Sequence, residues 1–172
     1  MPPQGRRLPT PRGPLKWLLR SPINLYRLHL GWLLGERFML LEHLGRKTGQ
    51  WHTVVIEVVG HDHATDTYFA ASGWRHRSDW YRNIQAHPLV RLSTGRRRRL
   101  TAVAHTLDRQ SAGDRLIAYT RAHPFAAREL GEIMGLPMTG DETEMRAAAE
   151  SLPVVAFKVG RWPSSPPDPR AG

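Results

Sequence analysis

Cysteine is missing altogether from the 172 residues, which excludes a disulfide scaffold, a zinc ribbon and a cysteine nucleophile together. The absence suits a reducing cytoplasm, the expected compartment. Negative charge is scarce: 15 Asp and Glu stand against 25 Lys and Arg, for a formal net charge of +10. An excess of that size predicts an anionic partner, whether nucleic acid, lipid headgroup or acidic small molecule. Long apolar runs are lacking too. Leu28 to Gly35, the longest near the N-terminus, is broken by His29 and flanked by Arg27 and Glu36, whereas a membrane span takes about 20 apolar residues. The basic N-terminus carries Pro9, Pro11 and Pro14 without a small-residue cleavage site, a poor secretory signal. There is no G-x-S-x-G elbow, no P-loop and no G-x-G-x-x-G, so nothing supports nucleophilic catalysis or P-loop nucleotide hydrolysis.

What is present reads as one domain between two unpatterned ends. Residues 1–13 are rich in Pro, Gly and Arg, and residues 161–172 are rich in proline; both are expected to be disordered. Over residues 14–36 the leucines recur at helical spacing with Lys16, Arg20 and Arg27 between them, and Pro22 and Gly31 divide the stretch. Packing onto the domain and lying on a membrane surface as a basic amphipathic helix are both open there, the latter through residues 15–34.

The strands come next. Phe38 to Leu44 is apolar, and Thr53 to Val59 is β-branched and nearly continuous, as in a strand buried on both faces. Thr67 to Ser72 returns after a polar turn at His61 to Asp66. Ser78 is placed to cap a helix over Asp79 to Ala86, which Pro88 stops. Leu89 to Ser93 and Leu100 to His105 read as a hairpin around Gly95. Helices are predicted over Asp108 to Ala122 and Phe125 to Leu136, with a closing strand over Leu152 to Val159. This order predicts an α+β fold: a small, mostly antiparallel barrel with flanking helices, over residues 37–160.

Three clusters carry candidate chemistry. Arg46 and Lys47 sit between Gly45 and Gly49 in a strand-to-strand turn. Glycine permits close backbone approach and the two cations suit an anion, although a solvated hairpin tip has the same composition. Ala71-Ser72-Gly73-Trp74 followed by Ser78-Asp79-Trp80-Tyr81-Arg82-Asn83 gathers aromatics at a strand end and a helix N-terminus, where phosphate is favoured. Arg96 to Arg99 form a cationic hairpin, read as a solvated loop, a nucleic-acid contact or a contact for an acidic ligand tail. No nucleic-acid module accompanies them, so nucleic acid is not expected. His61 and His63 share their turn with Asp62 and Asp66, but alternate turn residues lack a converging third ligand, and no metal site is expected.

Taken together, Gly45-Arg46-Lys47-Thr48-Gly49-Gln50, the strand His52 to Val59, Ala70-Ala71-Ser72, the pattern Trp80-Tyr81-x-Asn83-Ile84-x-Ala86-x-Pro88 and the ending Leu152 to Phe157 resemble the deazaflavin-dependent nitroreductase family. The resemblance covers residues 38–160 and implies a split β-barrel that binds coenzyme F-420, in preference to FMN, for two-electron hydride transfer. It gives Arg46, Lys47 and Thr48 to the phosphate and acidic side chain of the cofactor. It lays His52, Thr53, Val54, Val55 and Ile56 along the deazaflavin, and it completes the site with Ala71, Ser72, Gly73, Asp79, Trp80, Tyr81 and Asn83. Barrels of this kind often pair, so a homodimer is expected.

Two departures from the family pattern shape the functional expectation. The lysine that often follows the Ala-Ser pair is Gly73 here, with Arg75 or Arg77 as replacement charge. The tyrosines that cover the substrate in nitroimidazole-reducing members correspond to His123, Ala126 and Glu129. The resemblance therefore implies an oxidoreductase that passes hydride from reduced F-420 to an electron-poor acceptor, a quinone, enone or nitro compound. His123 or Tyr119 is the candidate proton donor. A cofactor carrier without turnover of its own is the alternative.

Overall fold

A computed structural model describes residues 35–160 apart from 74 and 137. The expected helices and membrane contact of residues 15–34, and both expected disordered ends, lie outside the described residues. Six strands form the barrel: β1 (Phe38–Leu44), β2 (Trp51–Asp62), β3 (Thr67–Ala71), β4 (Leu89–Thr94), β5 (Arg97–Thr106) and β6 (Val154–Val159). They close in the order β1-β2-β3-β6-β5-β4, every pair antiparallel. Among the described residues four α-helices accompany them: α1 (Asp79–Ala86), α2 (Arg109–Ala122), α3 (Pro124–Met134) and α4 (Glu142–Ser151).

Two cores hold this arrangement, and the period of two along each strand assigns side chains between them. One face of the strands fills the barrel with Met39, Leu41, Ile56, Val58, Tyr68, Ala70, Leu92 and Phe157, and α1 closes one end of it with Trp80, Tyr81 and Ile84. The other face contributes Val59, Phe69, Val154 and Ala156 to a second core beneath α2, α3 and α4, against Leu116, Ile117, Tyr119, Met145 and Leu152. β3 is therefore buried on both faces (Thr67 to Ala70 are all buried), as a strand between two cores must be.

Several expectations need correction. β2 is longer than Thr53 to Val59 and is not buried on both faces: His52 and Thr53 are exposed, and only Ile56, Val58 and Val59 are buried, because the helices cover just its second half. A register shift between Val58 and Gly60 bends the strand there. β5 begins at Arg97, so three of the four consecutive arginines lie in a strand rather than in a loop. Ser78 stands at the N-cap of α1 without capping it; its hydroxyl accepts from that of buried Ser72 at 2.7 Å. Helix α4 was not anticipated from the sequence.

Candidate functional site

The Gly45 to Gln50 turn joins β1 to β2 at the barrel end closed by α1. Its tightness has a specific cause. A Cβ at Gly45 would stand 2.7 Å from both His52 Nε2 and Thr48 Oγ1, so those exposed side chains would have to shift, and Gly49 has φ +65°, the left-handed region that favours glycine. Arg46 is held rather than free. Its backbone N–H donates to Asn83 Oδ1 at 3.1 Å, and its guanidinium donates to the same oxygen at 2.8 Å and to Asp79 Oδ1 at 3.1 Å. Asn83 is buried and bonds onward through Nδ2 to Nδ1 of buried His43, 3.2 Å away. Burial, then the neighbouring His52, push the His43 imidazole down to about 4, so at neutral pH it is an uncharged acceptor. Lys47 and Thr48 are exposed at the tip.

The remaining cofactor-binding candidates divide by face. Thr53 and Val55 lie on the outer surface of β2, while Val54 packs against the barrel interior and Ile56 is buried inside it. A ligand lying along one face of a strand meets only alternate side chains. Trp80 and Tyr81 are core residues closing the barrel; the Tyr81 hydroxyl accepts from Thr106 Oγ1 at 3.3 Å. Ser72 is buried, whereas Ala71 and Gly73 are half-buried and Asp79 is exposed.

Tyr119 and His123 lie elsewhere. Tyr119 is buried and its hydroxyl donates to Glu57 Oε1 at 2.7 Å, while Arg37 pairs with the same carboxylate oxygen at 3.2 Å. Burial and that hydrogen bond raise the Tyr119 phenol above its ordinary range, so its proton is committed to Glu57. His123, between α2 and α3, is exposed with its ring 5.6 Å from that of Tyr119. With Tyr119, Ala126, Val58 and Gly60 it lines a cavity of about 320 Å³; Glu129 is exposed on α3. Glu57 faces Phe38 in the β1–β2 ladder, six residues along β1 from Leu44 beside the turn. At about 3.3 Å per residue the turn and the cavity are about 20 Å apart along the strands. The outer face of β2, with Thr53 and Val55, runs between them.

The arginine run lies at the cavity end of the barrel, away from the Gly45 to Gln50 turn, because Thr94 faces both Met39 and Arg97. Arg97 is engaged: it forms a two-pronged pair with Asp66 at 2.6 Å per bond and donates to Tyr68 Oη at 2.9 Å. The hydrogen bonds from Arg97 hold the Asp66 carboxyl down at about 2. The expectation that His61 and His63 have no converging third donor is also corrected here. Glu36, just before β1, places a carboxylate oxygen within 4.8 Å of a ring nitrogen of each. Nothing in the spacing of Glu36 shows this; the β1–β2 register creates it.

The comparisons with known proteins bear on this geometry. Residues 20–128, more than half of the chain, match the model of the F420H(2)-dependent quinone reductase family. The chain belongs to that family. Its coarse chemistry, F-420-dependent reduction, follows from membership. Among solved structures, the chain is similar to an F420-H2-dependent reductase at 17% identity, TM-score 0.50, covering 72% of this chain and 96% of that one. It is also similar to a protein described as a domain-swapped dimer at 16% identity, TM-score 0.52, covering 85% and 100%. These likenesses show the split-barrel fold. No curated protein matches.

Proposed function

We propose that the protein reduces a quinone or related electron-poor carbonyl acceptor with reduced F-420, binding the anionic part of the cofactor at the Gly45 to Gln50 turn. The observation that carries this reading is the turn itself. It is built around Gly45, against which the Thr48 and His52 side chains pack closely, with the Arg46 guanidinium tied down beside it and Lys47 and Thr48 exposed. These residues fit a phosphate and carboxylate ligand, since fixed cations favour anions most when their geometry is set beforehand. Reduced F-420 supplies the hydride when bound.

The chain's own residues bind, orient and hold a proton. Arg46, Lys47 and Thr48 take the anionic end. Thr53 and Val55 offer the outer face of β2 to the ring system. His123 holds the proton that the reduced acceptor takes up, because Tyr119 has its own committed to Glu57. Where nitroimidazole-reducing relatives have tyrosines, the cavity has His123 and the small Ala126. That wall stacks poorly on a flat nitroaromatic and can hydrogen-bond a carbonyl oxygen. Quinones and enones are therefore preferred over bicyclic nitroimidazoles.

The test is an F-420 titration beside steady-state kinetics with quinones, enones and nitroimidazoles. Turnover is expected with quinones, and His123→Ala should lower kcat with an unchanged F-420 dissociation constant. Joint replacement of Arg46 and Lys47 by Ala should weaken F-420 binding by at least tenfold, given roughly 1.5–3 kcal/mol for a charge-assisted contact. Tight F-420 binding with no turnover would make the protein a carrier. Pairing of two copies is a separate part of the reading, tested by light scattering on eluted protein.

A further inference from the structure

We propose that Glu36, His61 and His63 form a binding site for a divalent transition-metal ion, with Zn²⁺ the fitting probe, at the barrel end opposite α1. The inference stands on side-chain geometry and is independent of the cofactor reading. The three residues offer two imidazole nitrogens and a carboxylate oxygen, all within 4.8 Å of one another. This is a donor set of the kind zinc takes with three protein ligands and one open position.

The decisive group is His61. Its side chain is nine-tenths buried, and its Nδ1 has no hydrogen-bond partner among the described residues. Glu36 Oε2 stands 3.7 Å from that nitrogen, too far for a hydrogen bond. A buried polar atom without a partner is uncommon and costly. The other ring nitrogen explains which form the imidazole takes. Nε2 lies 3.2 Å from Asp66 Oδ1, and Asp66 accepts two hydrogen bonds from Arg97 at 2.6 Å. Donation from Nε2–H to this fixed carboxylate leaves the Nδ1 lone pair facing Glu36. A carboxylate behind a ligating histidine is the usual support of a metal-bound imidazole, setting its tautomer and its orientation.

The ring cannot easily turn away. It stacks on Tyr68 with centroids 3.8 Å apart and planes 8° apart, and His63 lies 4.1 Å away on centroids. An ion at this point would join the chain just before β1 to the end of β2 and the turn after it, beyond the backbone hydrogen bond from Val58 N–H to Arg37 O. It would also sit at the rim of the cavity that Glu36 and His61 share with Tyr119 and His123.

The experiment is calorimetric titration of chelator-stripped full-length protein with Zn²⁺, together with the visible spectrum of the Co²⁺-loaded protein and thermal melts. The expected result is saturation at one ion per chain, a tetrahedral Co²⁺ spectrum and a raised Tm. His63→Ala, an exposed position that the fold does not need, should lose the Co²⁺ spectrum and the Tm rise. Asp66→Asn should weaken Zn²⁺ binding by about 10- to 100-fold, as loss of a supporting carboxylate does elsewhere. His105→Ala, an exposed histidine on β5, should bind as the parent does. No saturable binding, or binding that survives both His63→Ala and Glu36→Gln, would overturn the proposal.

Discussion

The two ends of the barrel are made from the same residue types and finished differently. At the α1 end, His43, Asn83, Arg46 and Asp79 form a chain in which the buried Asn83 uses both its oxygen and its nitrogen. At the other end, His61, Asp66 and Arg97 form a similar chain, but one buried imidazole nitrogen finds no partner among the described residues and faces an exposed carboxylate at 3.7 Å. A network whose donors and acceptors all match rigidifies what it touches, and an incomplete one marks where something else is expected to bind. The first is suited to hold a cofactor-binding turn in one shape; the second is suited to receive an ion.

The largest effect should come from acid at the closed end. The His43 imidazole is harder to protonate in the folded chain, down to about 4 from 6.5, because it is buried and stands near His52. Between those values the unfolded chain binds the extra proton, so stability falls as pH falls. The contribution is complete above pH 6.5 and largely lost near pH 4. A shift of this size corresponds to about 3 kcal/mol. Denaturant unfolding across that range should show the loss in the parent and a much flatter profile in His43→Gln. Parallel profiles would mean that the closed end does not depend on a neutral His43.

Next in size is Asn83→Ala. It removes the acceptor of two Arg46 bonds and the partner of His43, leaving buried polar groups unmatched at a cost of about 2 kcal/mol. Urea unfolding measures the loss. F-420 affinity should fall with it, since the Arg46 guanidinium is then no longer fixed. A destabilised protein with unaltered F-420 affinity would detach the turn from the cofactor.

The same comparison shows what was legible in the sequence. β1 and α1 were read with their observed limits, Phe38–Leu44 and Asp79–Ala86. In each, a local signal coincides with the tertiary one: an apolar run ended by a glycine turn, and a helix bounded by Ser78 and Pro88. The motif turn at the closed end is contiguous, so its glycines and cations could be recognised together. The open end could not be read this way. Glu36 reaches His61 only through the register that pairs Phe38 with Glu57, and Arg97 reaches Asp66 only through the closing of β5 on β6 and β6 on β3. α4 is not legible in the sequence because it buries little but Met145 and the small Ala148 and Ala149, a weak apolar signal against a polar composition. Four like charges at Arg96 to Arg99 conceal the alternation of a strand, so the run has the composition of a loop.

The arginine run supplies the smaller effects and sharpens the contrast between the ends. Arg97→Ala should cost about 1 kcal/mol, since its pair with Asp66 is more than a third exposed and discounted by solvent despite good geometry. Arg96 stands next to it and is exposed in the hairpin, so its removal should leave stability within about 0.5 kcal/mol. Its effect on F-420 affinity should be smaller still, under about twofold in 0.1 M salt, where exposed charges are screened beyond about 10 Å. The hairpin lies about 17 Å from the Gly45 to Gln50 turn, counting five residues of β1 from Met39, which faces Thr94, to Leu44. An acidic cofactor tail anchored by its phosphate at the turn would have to travel the length of the barrel to meet Arg96. Binding measured with short-tailed and long-tailed F-420 should therefore show the same slight change on Arg96→Ala. A loss that grows with tail length would place the tail along the barrel instead, and the open end would then belong to the cofactor as well.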